Sequence, residues 1–431
     1  MQKTKFTLFT GLILAVCSAS AQTSLPDPST TDPQKLGWMQ GFPPSPDKII
    51  QFANGSSYQF PRTRWSFSHW RELGPSANVW HGNGTVSALP VALRDLDGVA
   101  FQDEKNKDSN WAEMLANTYT DSVLVMHKGK VVYEKYFGIS KPYLPHIAMS
   151  VTKSFVGTMA AMLVADGKLD PSAAVINYVP ELKDTAYGDA TVREVMDMTI
   201  GVNYSENYAD PKAQIWDYAR AGGLLPTAPN YDGPRTYYDF LVKLQKEGNH
   251  GEAFAYKTVN AEVLGWIVRR ASGISLAEFM SERIWQKLGT ENDAYFSVDR
   301  IGTEQGGGGL SLTLRDMARF GEMMRLNGKF NQQQIVPESV VKDIRKGGDP
   351  AKFAKAGIAL LQGYSYRNMW WIAHNGHQTF EARGIHGQRI YIDPVAEMVI
   401  VKFSSHPIAG NGASDAVTYR AFAAMANYLM K

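Results

Sequence analysis

Cysteine is almost absent from this 431-residue sequence: Cys17 is the only one. It falls inside a stretch with the form of a secretory signal. Lys3 and Lys5 precede an apolar core from Phe6 to Val16, and Ala19-Ser20-Ala21 supplies small residues for cleavage before Gln22. Removal of residues 1–21 leaves no thiol, which excludes disulfides, a cysteine nucleophile and thiolate metal sites. The expected location is therefore export, to the periplasm or beyond. A lipoprotein anchored through Cys17 is the less favoured alternative, because Val16 is larger than the small residue normally found before a lipidated cysteine.

Other absences narrow the function. No apolar run reaches the roughly 18 residues that a membrane-spanning helix needs. Lys3 and Lys5 account for the whole formal charge of +2, leaving 42 basic and 42 acidic residues. Nothing in that balance draws the chain to nucleic acid or to an acidic membrane. The Gly306–Gly309 run is followed by no Gly-Lys-Ser/Thr, so it is not a phosphate cradle. There is no internal repeat. What remains is a globular composition, 44% hydrophobic and 20% charged, with no bias towards disorder.

The pattern along the chain predicts an α+β fold, an antiparallel sheet flanked by helices with a largely helical second domain. Residues 22–110 form an extension packed on the body, through Trp38, Trp65, Phe67 and Trp70. Residues 111–184 and 290–431 form the α/β domain, and 185–289 the helical one. Within the first, Ser122–Phe137 is a hairpin turning at His127-Lys128-Gly129-Lys130. Ile147–Ala165 is a buried helix stopped by Gly167 and Pro171, and Leu310–Leu326 an amphipathic one. Arg389–Asp393 and Glu397–Phe403 form a second hairpin, so strands from both ends of the chain can share one sheet.

Ser-x-x-Lys occurs three times, at Ser45–Lys48, Ser150–Lys153 and Ser339–Lys342. Ser45 lies among prolines, and Ser339 follows Pro337 in a charged helix. Only Ser150 opens an almost uncharged helix, with Lys153 the sole cation in a long apolar stretch. Residues i and i+3 share a helix face, so the Lys153 amine can reach the Ser150 hydroxyl, which is a weak nucleophile until its proton is removed. A capping serine and a lysine snorkelling to solvent would read the same way locally. Tyr256 before a second apolar helix is either a proton carrier or a core tyrosine. Gly384-Ile385-His386-Gly387-Gln388, leading into the last hairpin, allows close backbone approach and an N–H donor opposite Ser150, or is an ordinary turn.

Together these stretches resemble the serine β-lactamase and penicillin-recognising superfamily, closest to its 6-aminohexanoate-dimer hydrolase and carboxylesterase branch. The similarity is carried by Met149-Ser150-Val151-Thr152-Lys153-Ser154 and by Tyr256 to Val268 with Asn260. It continues through Gly309-Leu310-Ser311 with Arg315-Asp316 and Ala318-Arg319-Phe320-Gly321, and Gly384 to Gln388 with Val399-Ile400-Val401-Lys402. The resemblance implies Ser150 as nucleophile, Lys153 as its helper, and Tyr256 as general base in acylation and acid towards the leaving group. The backbone N–H groups of Ser150 and Ile385 are the implied oxyanion hole. Tyr208, Gly384, Ile385 and His386 are the implied substrate-side residues. An acyl-enzyme forms, and no metal or cofactor is implied.

Departures from the family pattern bear on the substrate. The triplet that grips a substrate carboxylate in the superfamily aligns with Ala382-Arg383-Gly384, without the usual basic residue. Strand alternation puts Arg383 on the face opposite Ala382, so it is not expected to stand in. The acidic residue and the asparagine that serve the amide substrate of the branch align near Ala219 and Gly307. A small ester or amide is the expected substrate, with the ester favoured because its leaving group demands less protonation. A β-lactamase or D-alanyl peptidase is the enzymatic alternative, and a catalytically inactive binding protein the alternative of another class. His374, His377 and His386 lack the carboxylate spacing of a metal site. Ser150 also lacks the Gly-x-Ser-x-Gly elbow of a Ser-His-Asp hydrolase.

Overall fold

The computed structural model describes residues 25–431; the expected signal segment, with Cys17, lies outside the described residues. After an N-terminal run of short turns come β1 (Ser76–Val79), α1 (Trp111–Asn117) and the hairpin β2 (Thr120–His127) and β3 (Lys130–Tyr136). Then follow β4 (His146–Ile147) and α2 (Val151–Ala165). The middle of the chain is loops and short helices around α3 (Gln214–Ala221) and α4 (Thr258–Ser272). It returns through β5 (Ala294–Ser297), β6 (Leu310–Leu312), α5 (Leu314–Arg325) and α6 (Glu338–Lys346). Strands β7 (Ser365–Arg367), β8 (Trp370–Ile372), β9 (Phe380–Gly384), β10 (Gln388–Asp393) and β11 (Met398–Ser404) precede α7 (Asp415–Leu429).

The main sheet has seven strands in the order β7-β8-β9-β10-β11-β2-β3, all antiparallel. Strands from the two ends of the chain thus meet at β11 and β2, where Val401 faces Leu124 and Val399 faces Met126. The β2–β3 turn works because Lys128 and Gly129 both take positive φ, 50° and 76°, as a two-residue hairpin requires. Side chains alternate across the sheet. Leu124, Met126, Val399 and Val401 enter one core with α2 and α5, while Val123, Val125 and Ile400 pack on Trp111, Phe422 and Met425 of α1 and α7. Because both faces are covered, β2 is buried along its whole length. Among the described residues no helix is long and apolar enough to cross a membrane.

A second antiparallel sheet, β1-β5-β6-β4, delivers the chain to the start of α2. Two helix boundaries differ from the sequence expectation because of it. Leu310–Leu312 is a strand, paired with β5 and β4, and the helix begins only at Leu314. Ile147 likewise belongs to a strand, opposite Ser311, and three residues turn the chain before α2 starts at Val151. Short apolar runs fit either element until a partner strand claims them. Trp65, Phe67 and Trp70 are buried, and the Phe67 carbonyl accepts the Ile147 N–H.

Candidate active site

The turn between β4 and α2 is tight. Met149 takes φ +49°, an uncommon conformation for a side-chain-bearing residue, and Ser150 follows at the helix N-cap position. Thr152 holds the turn: its hydroxyl donates to the Met149 carbonyl at 2.7 Å and accepts from the Leu310 N–H at 3.1 Å. Ser150 is therefore anchored to β6 through its neighbours, while its own side chain faces a cleft.

Lys153, one turn into α2, is buried and donates to Ser150 Oγ at 2.8 Å and to the Gly307 carbonyl at 2.6 Å. It also lies 5.2 Å from the centre of the Tyr256 ring. Burial pushes its ammonium down to about 8, against the pull of the Glu206 and Glu262 carboxylates. A snorkelling lysine would reach solvent; this one does not.

Tyr256 stands just before α4. Its segment is pinned by Phe254 and Ala255, whose N–H groups donate to the carbonyls of Lys352 and Met198. Burial and the Glu206 charge push its phenol well above the ordinary range, opposed by a hydrogen bond with Ser150 and by Arg383. Of the two partners of Ser150, Lys153 is thus the one that gives up its proton near neutral pH.

On the opposite wall, β9 ends at Gly384, where a Cβ would meet the Ala148 carbonyl oxygen at 2.6 Å. Only glycine allows this strand to lie so close to the turn that carries Ser150. Ile385 follows, and it and Ser150 line the same two cavities. Neither backbone N–H donates to another protein group among the described residues. Both are free to hold an oxyanion.

The cleft continues as chambers of different character. One is a narrow apolar slot lined by Tyr58, Trp70, Met149, Trp216, Ala219 and Leu224. Another, of about 430 Å³, has Tyr256, Trp371, Arg383 and Asp415 on its walls and Ile358 to Leu361 along its rim. A third, of about 530 Å³, is bounded by Glu206, Tyr208, Ile385 and His386. Tyr208 lines all three and donates to Glu206 at 2.8 Å. His386 lies behind the others, with its Nδ1 2.7 Å from the His406 carbonyl, and burial pushes its ring down to about 4. It is a wall, neutral at working pH.

Arg383 requires a correction. It does lie on the face opposite the fully buried Ala382, but that face is the one that meets the cavity. Its guanidinium stacks 4.6 Å from the Trp371 ring centre, donates to Asp415 and places Nη1 3.9 Å from Glu381 Oε1, while its Nε has no hydrogen-bond partner among the described residues. The other histidines have separate partners, His374 with Ser365 and His377 with Asp393. Trp216 enters the cleft wall, whereas Asp217 and Arg220 pair with each other.

Two acids were missed by the sequence reading. Glu206 accepts the Thr258 N–H at 2.6 Å and its hydroxyl at 2.7 Å, capping α4 from a distant loop. Glu262, buried inside α4, accepts from Gly306 and Gly307. A signal for Glu262 existed, since an acid amid Val259, Ala261, Val263 and Leu264 is as anomalous as Lys153 in α2.

Comparison with known proteins agrees with the fold. The β-lactamase family model matches residues 109–424. A 6-aminohexanoate-dimer hydrolase of Paenarthrobacter ureafaciens is 35% identical over 350 residues, 80% of this chain and 86% of that protein. A solved Bacillus anthracis structure, provisionally described as a 6-aminohexanoate-dimer hydrolase, superposes with a TM-score of 0.81 at 34% identity, covering 90% of this chain and 98% of that one. An octameric penicillin-binding protein homologue from Pyrococcus abyssi, at 20% identity, has a TM-score of 0.55 and covers 74% of this chain and 76% of its own. That likeness concerns the fold alone.

Proposed function

The chain belongs to the β-lactamase family and is a hydrolase, and on that premise we propose that it is an exported serine hydrolase that cleaves a small ester or amide through an acyl-enzyme on Ser150. The observation that carries the reading is the 2.8 Å contact between Lys153 Nζ and Ser150 Oγ at the mouth of the cleft.

In this mechanism neutral Lys153 accepts the Ser150 proton as Oγ attacks the substrate carbonyl. Negative charge grows on the carbonyl oxygen between the N–H groups of Ser150 and Ile385. Tyr256 gives its proton to the leaving alkoxide or amine as the C–O or C–N bond breaks, and recovers one from Lys153. Water then attacks the acyl-enzyme, its proton returning by the same groups to Ser150. The resemblance alone implied Tyr256 as the base. The depressed ammonium of Lys153 beside a raised phenol supports the opposite division of labour.

For the substrate, the amide-directed acid and asparagine of the branch are replaced by Ala219 and Gly307 on the slot wall. That supports an ester, or an amide with a good leaving group. Arg383 keeps a second reading in view. Its cation on the wall of the 430 Å³ cavity suits a substrate carboxylate, as in β-lactams and D-alanyl peptides.

The test is turnover of short-chain nitrophenyl esters, a chromogenic cephalosporin and an aminohexanoate dimer, beside Ser150→Ala. Ester turnover should lead. Cephalosporin turnover as fast as ester turnover would reverse the ranking. If no substrate turns over and a fluorophosphonate fails to label Ser150, the protein is a binding protein on this fold. Export is tested separately, by fractionating cells that express the full chain and sequencing the mature N-terminus, expected at Gln22.

A further inference from the structure

Lys153 is aimed by something outside its own helix. Its second hydrogen bond goes to the carbonyl of Gly307, in a glycine loop that has little side-chain packing of its own to fix it. Backbone bonds and the Ser297 hydroxyl fix the loop at Gly309, and one carboxylate holds its first two amides. Glu262, 1% exposed, accepts the Gly306 N–H at 2.9 Å with one oxygen and the Gly307 N–H at 2.6 Å with the other. The second oxygen also accepts the Tyr218 hydroxyl at 2.6 Å. Three donors and no acceptor face this group, the environment of a carboxylate rather than a carboxylic acid.

We propose that Glu262 is a positioning residue: by clamping the Gly306 and Gly307 amides it fixes the Gly307 carbonyl against Lys153 and so directs the lysine at Ser150. The proposal rests on the assignment of Ser150 as nucleophile. The loop has to be glycine for the clamp to close. A Cβ on Gly307 would meet Thr258 Cγ2 at 2.6 Å and Glu262 Oε1 at 2.8 Å. A connected path follows, from the Glu262 carboxylate through the Gly307 peptide to Lys153 and Ser150.

The clamp has an electrostatic consequence. The charges that bear on Lys153 are Glu206 and Glu262, both raising its proton affinity against burial, and Tyr256 presents its ring. Burial pushes the Glu262 carboxyl up, opposed by Tyr218, by the two amides and by Arg269, the cation that favours its charge. Removal of the Glu262 charge should therefore let Lys153 lose its proton at lower pH, while release of the loop should slow the reaction.

The experiment is the rate of fluorophosphonate labelling of Ser150 as a function of pH, in the full chain, for wild type, Glu262→Gln and Gly307→Ala, with thermal unfolding in parallel. The amide of Glu262→Gln must turn a donor towards one of the three donors, so labelling should fall 10- to 100-fold, with the midpoint of the rate–pH curve moved to lower pH. Gly307→Ala displaces the loop but keeps the charge. Its rate should fall with the midpoint near that of wild type. A purely structural role for Glu262 would lower both rates without moving the midpoint. Folded Glu262→Gln with wild-type rate and midpoint overturns the proposal. If Glu262→Gln does not fold, Gly307→Ala decides: a folded variant that labels at wild-type rate overturns it equally. Failure of wild type to label at all would instead strike the assignment of Ser150.

Discussion

Two buried serine–lysine pairs stand among the described residues, and only one of them faces a cleft. At the start of α2, Lys153 touches Ser150 and burial pushes its ammonium down to about 8. On β11, Lys402 touches Ser404, and burial together with Arg389 pushes it down to about 7. By titration alone the second lysine sheds its proton at least as readily as the first. Yet Ser404 is fully buried, hydrogen-bonded through its backbone to Gln388, and borders none of the cavities around Ser150. A depressed lysine beside a serine is therefore not a catalytic device by itself. Ser150 differs in having the free N–H of Ile385 across from it, the Tyr256 phenol on the same cavity wall, and space for a substrate.

The comparison can be broken by exchanging the serines. Ser150→Ala should lower ester kcat/KM by about 10⁵-fold or more, as loss of a nucleophile does elsewhere. Ser404→Ala should leave it within about threefold, because Ser404 borders none of the cavities around Ser150 and meets no substrate. Comparable losses in both would put the chemistry somewhere else. The lysines come next. Lys153→Met should cost roughly 10³-fold in acylation, read as fluorophosphonate labelling, since general-base help is worth about 10²–10⁴. Lys402→Met should label at the wild-type rate.

How much of this was legible in the sequence depended on whether a residue's significance was local. Ser150 and Lys153 stood out because a cation inside an apolar helix needs a partner, and the partner was three residues away. The antiparallel sheet was legible because both hairpins are short-range objects with their own turns. Arg383 was half legible. Alternation placed it correctly opposite Ala382, but which face of β9 meets the cleft depends on Trp371 and on Asp415 at the start of α7. Glu206 was silent and Glu262, though anomalous in an apolar helix, showed no role, because their partners, Thr258 and Gly306-Gly307, are 52 and 44–45 residues away. The strand at Leu310–Leu312 was hidden for the same reason, its identity being set by β5 and β4.

Stability separates the lysines on a smaller scale. Lys402 binds its proton less tightly folded than unfolded, so the unfolded chain holds more protons between about pH 7 and the ordinary lysine range. Stability contributed at this site therefore rises with pH, and the cost of the charge is fully present only below about 7. At about 1.4 kcal/mol per unit, chemical denaturation should show wild type gaining roughly 1–3 kcal/mol on Lys402→Met between pH 7 and pH 10, after discount for bonds lost in the variant. A pH-independent difference would mean that Lys402 keeps its proton in the fold across this range, as it does in the unfolded chain.

The smallest effect is the most discriminating, because the two lysines titrate about a unit apart. If neutral Lys153 takes the Ser150 proton, ester kcat/KM, corrected for background hydrolysis, should fall about tenfold per unit below pH 8, near 1.4 kcal/mol per unit. Above that point it should stay level to about pH 10, because the Tyr256 phenol is pushed up by burial and keeps its proton for the leaving group. The midpoint should be unchanged in Lys402→Met, although that residue has the lower proton affinity of the two. A midpoint near 7 that disappears in Lys402→Met would transfer the base role to the buried pair on β11. A rate that goes on rising about tenfold per unit from pH 8 to pH 10 would return the proton to Tyr256, since a phenol pushed up by burial is a base only in its small ionised fraction.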